Sequence, residues 1–263
     1  CQVGRAGSAV ATRGTRQAAL PGYERLDAQV PVLYAPRLAG KARELSGYLT
    51  QGYRALGRIL SVDTPGIIAY LVADEDWSGA PRDNTRPYPP GLPYFTRSVV
   101  PPALVLPEEL STAFRPRTTA TLPLTVWHEL AHAFLLGREV VRTPAWLREF
   151  VPQAASAAVA RRVGLPLGEH LSRIDRDPGF TVRGFRGPAG AGDQMSFQNL
   201  LLVLGVVALD QFGEDFLRRT FHALWEEDEI VDEERAEELL GEALGQGGRE
   251  WLVSRPEFQE EPL

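Results

Sequence analysis

His128-Glu129-Leu130-Ala131-His132 is the segment of this chain whose residue types and spacing could do chemistry. Histidines at i and i+4 lie on one face of a helix, with Cβ atoms about 5–6 Å apart. Their neutral imidazoles can converge on one ion. Zinc takes imidazole nitrogen at about 2.0–2.1 Å, and a catalytic zinc site keeps one position open for water. Glu129 follows the first histidine directly, within reach of that water as a general base. The surrounding residues, Leu124 to Leu136, are otherwise almost all apolar, so the helix is expected to be buried nearly all round. Two histidines and a glutamate there are costly unless an ion and hydrogen bonds satisfy them. The plainer alternative is a pair of core histidines beside a capping glutamate. The chain has only four histidines, and two of them stand at metal-ligand spacing around a glutamate, which favours the metal.

A catalytic zinc needs a third protein ligand. Downstream, Glu139, Glu149, Glu169 and His170 are candidates. Glu149 falls in Pro144-Ala-Trp-Leu-Arg-Glu149, where Thr143 reads as an N-cap and Pro144 as the first helical position. It would therefore project from a second helix able to pack on the first.

The elements that must position these residues divide the chain in two. Residues 21–121 read as a small α+β part. Gln29 to Tyr34 and Ile67 to Val72 are expected strands, and Leu38 to Leu60 is a helix with apolar residues every three or four positions. Asp74 to Pro93 reads as a loop. Tyr94 to Leu106 holds possible strand interrupted by Pro101 and Pro102. Residues 122–263 read as mostly helical, with helices near Leu124–Leu136, Ala145–Val163, Phe197–Phe212, Asp215–Glu227, Glu233–Leu244 and Trp251, and a glycine-rich loop over Gly179 to Gly192. The acidic run from Glu226 to Glu242 is read as a solvated helix face. The 263 residues suffice for one large domain with a sizeable core.

His128-Glu129-x-x-His132 followed by Trp146-Leu147-Arg148-Glu149 resembles the glutamate-type zincins, the thermolysin-like and aminopeptidase-like metallopeptidases. The resemblance implies an α+β zincin-like fold with a small mixed sheet, zinc bound by His128, His132 and Glu149, and Glu129 as general base. It implies hydrolysis of peptide bonds in a peptide or protein substrate. It also implies an edge strand that holds substrate in extended form, for which Tyr94-Phe95-Thr96 is the candidate, with Tyr94 and Phe95 as substrate-binding residues. Two positions depart from the family pattern: Phe150 replaces a glycine and Pro152 an alanine. Proline at 152 is expected to kink or delay the helix that presents Glu149. Gln153 falls where the family often places a carboxylate that orients an imidazole. The Tyr or His that stabilises the oxyanion has no obvious counterpart; Tyr94, His170 and His222 are the candidates. A zincin scaffold serving as a surface-anchored binding module, with little or no activity, is the alternative reading, and a metal-dependent amidase acting on cell-wall peptides is a third.

The formal net charge is −6 and no strongly basic stretch occurs, which argues against a nucleic-acid partner. No apolar run of about 18 residues is evident, so no membrane span is expected; Leu200 to Leu209 reads as a buried helix. The single cysteine is Cys1, followed by a Gly-, Ala-, Ser-, Thr- and Arg-rich stretch to residue 20 that suits a flexible tether. That arrangement resembles a processed bacterial lipoprotein. It implies a lipid on the Cys1 thiol and a domain held at a membrane surface of the cell envelope, on its periplasmic or extracellular face.

Overall fold

The computed structural model describes residues 20–82, 91–110, 116–136, 143–175, 179–185 and 191–259. Cys1 with the expected tether, and the candidate ligand Glu139, lie outside these residues. Five strands form one mixed sheet: β1 (Glu24–Leu26), β2 (Val32–Tyr34), β3 (Ile68–Val72), β4 (Tyr94–Thr96) and β5 (Ala103–Pro107), in the order β1-β2-β3-β5-β4. β2, β3 and β5 run parallel, while β1 and β4 flank them antiparallel as edges. β3 and β5 are continuous apolar runs because both of their faces are covered. Ala69, Leu71, Leu104 and Leu106 face the main core, whereas Ile68, Tyr70 and Val105 form a smaller cluster on the opposite face. Pro101 and Pro102 precede β5 and so leave its ladder intact, and Tyr94-Phe95-Thr96 is an edge strand.

Helix α1 (Ala39–Leu60) joins β2 to β3. The chain then becomes helical: α2 (Thr121–Leu136), α3 (Ala145–Val163), the short α4 (Gly168–Ser172), α5 (Ala191–Phe212), α6 (Asp215–Glu226), α7 (Glu233–Leu244) and α8 (Gly248–Ser254). α2 packs on α1, on α3 and on β4 and β5, and α3 packs along α5. One hydrophobic core runs through both parts of the chain. The fold is thus mixed α/β with a small five-stranded sheet and a helical C-terminal part.

Three local expectations are revised. Helix α5 begins at Ala191 rather than near Phe197, so the glycine-rich stretch ends sooner. Pro144, not Thr143, is the N-cap of α3, and no side chain caps that end. Pro152 neither breaks nor delays α3, which runs on to Val163 with Pro152 buried inside it. The surrounding helices hold the turn that has lost one hydrogen bond, as packing of an apolar face can.

The expectation of no span is also revised: Asp193–Phe212 is long and apolar enough to cross a membrane by length and composition, with mean hydropathy 1.4. In this fold 44% of that window is buried inside the chain, and it lies along α3.

α1 approaches α2 closely at Gly52. A Cβ there would stand 2.3 Å from Trp127 Cδ1, and the buried Trp127 indole donates to the Tyr48 carbonyl at 2.9 Å. Gly52→Ala gains about 1 kcal/mol of helix propensity but must displace a packed indole, which costs about 1–3 kcal/mol. We expect a net fall in the chemical-denaturation midpoint. A midpoint equal to or above that of the parent would contradict this packing.

Candidate metal centre

The apolar residues of α2 are packed by its neighbours in the fold. α1 and α3 cover it laterally and β4 and β5 lie beneath it. His128 and His132 are therefore only 7% and 9% exposed. Their rings meet edge to face, 4.7 Å apart. Glu149 comes from the first turns of α3, which crosses the same stretch of α2. Its Oε2 lies 3.3 Å from His128 Nε2 and 3.3 Å from His132 Nε2, and the two Nε2 atoms are 3.1 Å apart. The expected triad is brought together.

Those edges test whether the residues fit zinc. Tetrahedral donors at about 2.0–2.1 Å from an ion stand about 3.3 Å from one another. The three donors match that spacing and converge in one place. Without an ion, Glu149 Oε2 accepts from the imidazoles; with the imidazole protons on Nδ1, all three atoms present lone pairs to one point. A divalent cation satisfies all of them. His128 Nδ1, which carries the proton when Nε2 is the donor atom, is buried with no hydrogen-bond partner.

Electrostatics follow the same geometry. Burial lowers the pKa of His128, with its hydrogen bond to Glu149 opposing. Burial also opposes a charge on His132, but the Glu149 carboxylate outweighs it and raises that pKa. Partial burial works against the charge on Glu149, yet the two imidazoles hold its carboxyl well below the usual carboxylate range. Burial pushes Glu129 up to about 8, with His132 opposing and the Glu149 charge adding.

Glu149 is held from behind by an amide relay that no motif announced. Gln198 Nε2, on α5, donates to Glu149 Oε2 at 2.9 Å, and Gln153 Nε2 donates to Gln198 Oε1 at 2.6 Å. Gln153 therefore acts on the Glu149 carboxylate through Gln198 rather than on an imidazole. Partners of this kind typically change metal affinity about 10–100-fold when removed. Gln198→Leu is expected to weaken zinc binding by that factor in competition with a chromophoric chelator. Unchanged affinity would show that the relay does not position Glu149.

The triad opens into a cavity of about 270 Å³ whose lining includes Glu129, Phe95, Arg148 and His170. Tyr94 and Phe95 both border it, but strand alternation sends their rings to opposite faces. Phe95 packs with the helical core. Tyr94 packs edge to face on Trp77 and donates its hydroxyl to the Pro81 carbonyl at 2.8 Å. That hydroxyl is committed to the fold, which removes Tyr94 from the oxyanion candidates. His222 is exposed on α6 beside Trp225 and does not line the cavity. Glu169 is exposed and paired with Arg173, so it is no ligand. His170 is buried in the cavity wall, with Nδ1 2.8 Å from Thr118 Oγ1. Burial lowers its pKa, which keeps it neutral near pH 7.

Comparison with protein-family models, with curated proteins and with solved structures finds no match to this chain.

Proposed function

We propose that the chain is a zinc-dependent hydrolase of peptide bonds with a zincin-like site. The observation that carries this reading is the triangle of donor atoms from His128, His132 and Glu149, with edges of 3.1–3.3 Å, opening beside Glu129 into a cavity. Zinc held by these three residues supplies a Lewis acid and lowers the pKa of water towards neutrality.

The chain's own residues do the rest. Glu129 follows the ligand His128 and lines the cavity, without a side-chain hydrogen bond to another described residue. A carboxylate beside a divalent ion can accept a proton from water and release it again near neutral pH. Glu129 takes the proton of the attacking water and passes it to the leaving nitrogen.

His170 supplies a neutral N–H donor. Thr118 Oγ1 already accepts from the Ala120 amide, and its hydroxyl proton is best placed in the 2.8 Å contact with His170 Nδ1. The ring proton then sits on Nε2, where it can donate to negative charge developing on a carbonyl oxygen. β4 is the edge strand that borders the cavity, the position at which an extended peptide adds to a sheet.

Metal analysis of purified protein and digestion of a mixed peptide library test the reading together. About one zinc per chain is expected, with cleavage that disappears on chelation and returns with zinc. Zinc-loaded protein that cleaves nothing would leave a binding module and end the hydrolase reading.

A further inference from the structure

We infer that Arg148 makes this cavity a site for a substrate carboxylate close to the scissile bond. This rests on the metal-site reading above and names the substrate class of that site.

Arg148 is the one cationic Lys or Arg side chain among the described residues that line the cavity. Its side chain is 44% exposed, well placed for a ligand. Its nearest acidic partner is the neighbouring Glu149, with Nε 3.7 Å from Oε1, beyond hydrogen-bond reach. Glu149 meanwhile is engaged through Oε2 by both imidazoles and by Gln198.

Charge counting sharpens the point. The lining carries two carboxylates, Glu129 and Glu149. A divalent ion at the triad balances both even when Glu129 has lost its proton, so the Arg148 guanidinium leaves the cavity with a net positive charge. The rest of the wall is apolar or neutral, as with Leu92, Phe95, Leu124, Met195 and Asn199. A low-dielectric wall with one unbalanced guanidinium selects an anion, and the planar guanidinium matches a carboxylate in a bidentate fork.

Distance limits where that carboxylate sits. The guanidinium begins 3.7 Å from a ligand residue's own carboxylate, and one extended residue spans roughly 3.3–3.6 Å. Oε2 of that same carboxyl is a vertex of the triangle, so the anion belongs to a residue within a few positions of the bond that is cut. Two sources share this chemistry: the C-terminal carboxylate of the residue released, and an acidic side chain beside the bond.

Binding separates the sources without relying on turnover. Zinc-loaded Glu129→Gln protein would be titrated calorimetrically with two matched peptide pairs. The first pair is an N-acetylated tripeptide ending in leucine, as free acid and as C-terminal amide. The second is an amidated tripeptide carrying Glu or Gln at its centre. In at least one pair the anion is expected to bind about tenfold or more tightly than its neutral twin. Arg148→Gln in the same background should bring that ratio to about one, and Arg148→Lys should restore part of it. The pair that shows the preference identifies the source. Zinc content is measured in every variant.

Equal binding within both pairs overturns the inference, as does absence of binding by all four peptides at millimolar concentration. A preference that survives Arg148→Gln also overturns it, because zinc alone would then hold the carboxylate. An Arg148-dependent preference in protein whose parent cleaves no peptide leaves the carboxylate site standing and removes the hydrolase reading. Cleavage without preference does the reverse.

Discussion

Glu129→Gln is expected to retain its zinc and to lose about two to four orders of magnitude in peptide-hydrolysis rate, the usual contribution of a positioned general base. The substitution is nearly isosteric and Glu129 contributes no atom to the donor triangle, so metal content should match that of the parent. The loss should fall on kcat rather than on KM, because a base acts on the transition state more than on the bound substrate. Equal rates for parent and variant would remove Glu129 from the mechanism.

The same residue leaves a mark on the chelated protein. Burial raises its carboxyl from 4.5 to about 8. A raised folded-state pKa contributes stability that is fully present below the unfolded value and lost as pH rises through the folded one. Metal-free parent protein should therefore lose stability between about pH 4.5 and 8, and Glu129→Gln should flatten that slope. Denaturation midpoints across this window, compared between parent and variant, read the difference directly.

His132→Ala is the second large effect. It removes one vertex of the triangle, leaving His128 Nε2 and Glu149 Oε2 at 3.3 Å with no third donor among the described candidates. Zinc per chain should drop from about one to background after dialysis, and hydrolysis should fall with it. Stability gives an independent readout. A ligand that binds only the folded state at one hundred times its Kd adds about 2.7 kcal/mol, so zinc should raise the unfolding temperature of the parent and leave that of the variant unchanged. A variant that gains as much from zinc as the parent would mean that the metal binds elsewhere.

Much of the donor set was legible in the sequence because its spacing is local. His128 and His132 sit one turn apart on a single helix, and any helix through that segment puts them on one face. The apolar residues around them announced a buried helix, and α2 is buried. The strand Ile68–Val72 was visible as a short apolar β-branched run and α1 as an amphipathic period, whereas Ala103–Pro107 read only as possible strand because two prolines precede it. Alternation along a strand also requires that Tyr94 and Phe95 point opposite ways.

Tertiary structure decided everything that depends on residues distant along the chain. Several carboxylates could follow the motif, and only the crossing of α3 over α2 brings Glu149 within 3.3 Å of both imidazoles. Which of Tyr94 and Phe95 faces the helices depends on which side of the sheet they cover. Gln198 and Glu149 lie 49 residues apart, and Thr118 and His170 lie 52 apart. The start of α5 at Ala191 likewise runs against its local glycine content. A helical period or a turn signal reports on neighbours within a few residues, whereas these contacts arise where separate helices pack side by side. No local propensity encodes which side chains then meet, so the motif could name the ligands on its own helix but not the residues that hold, orient and charge the cavity around them.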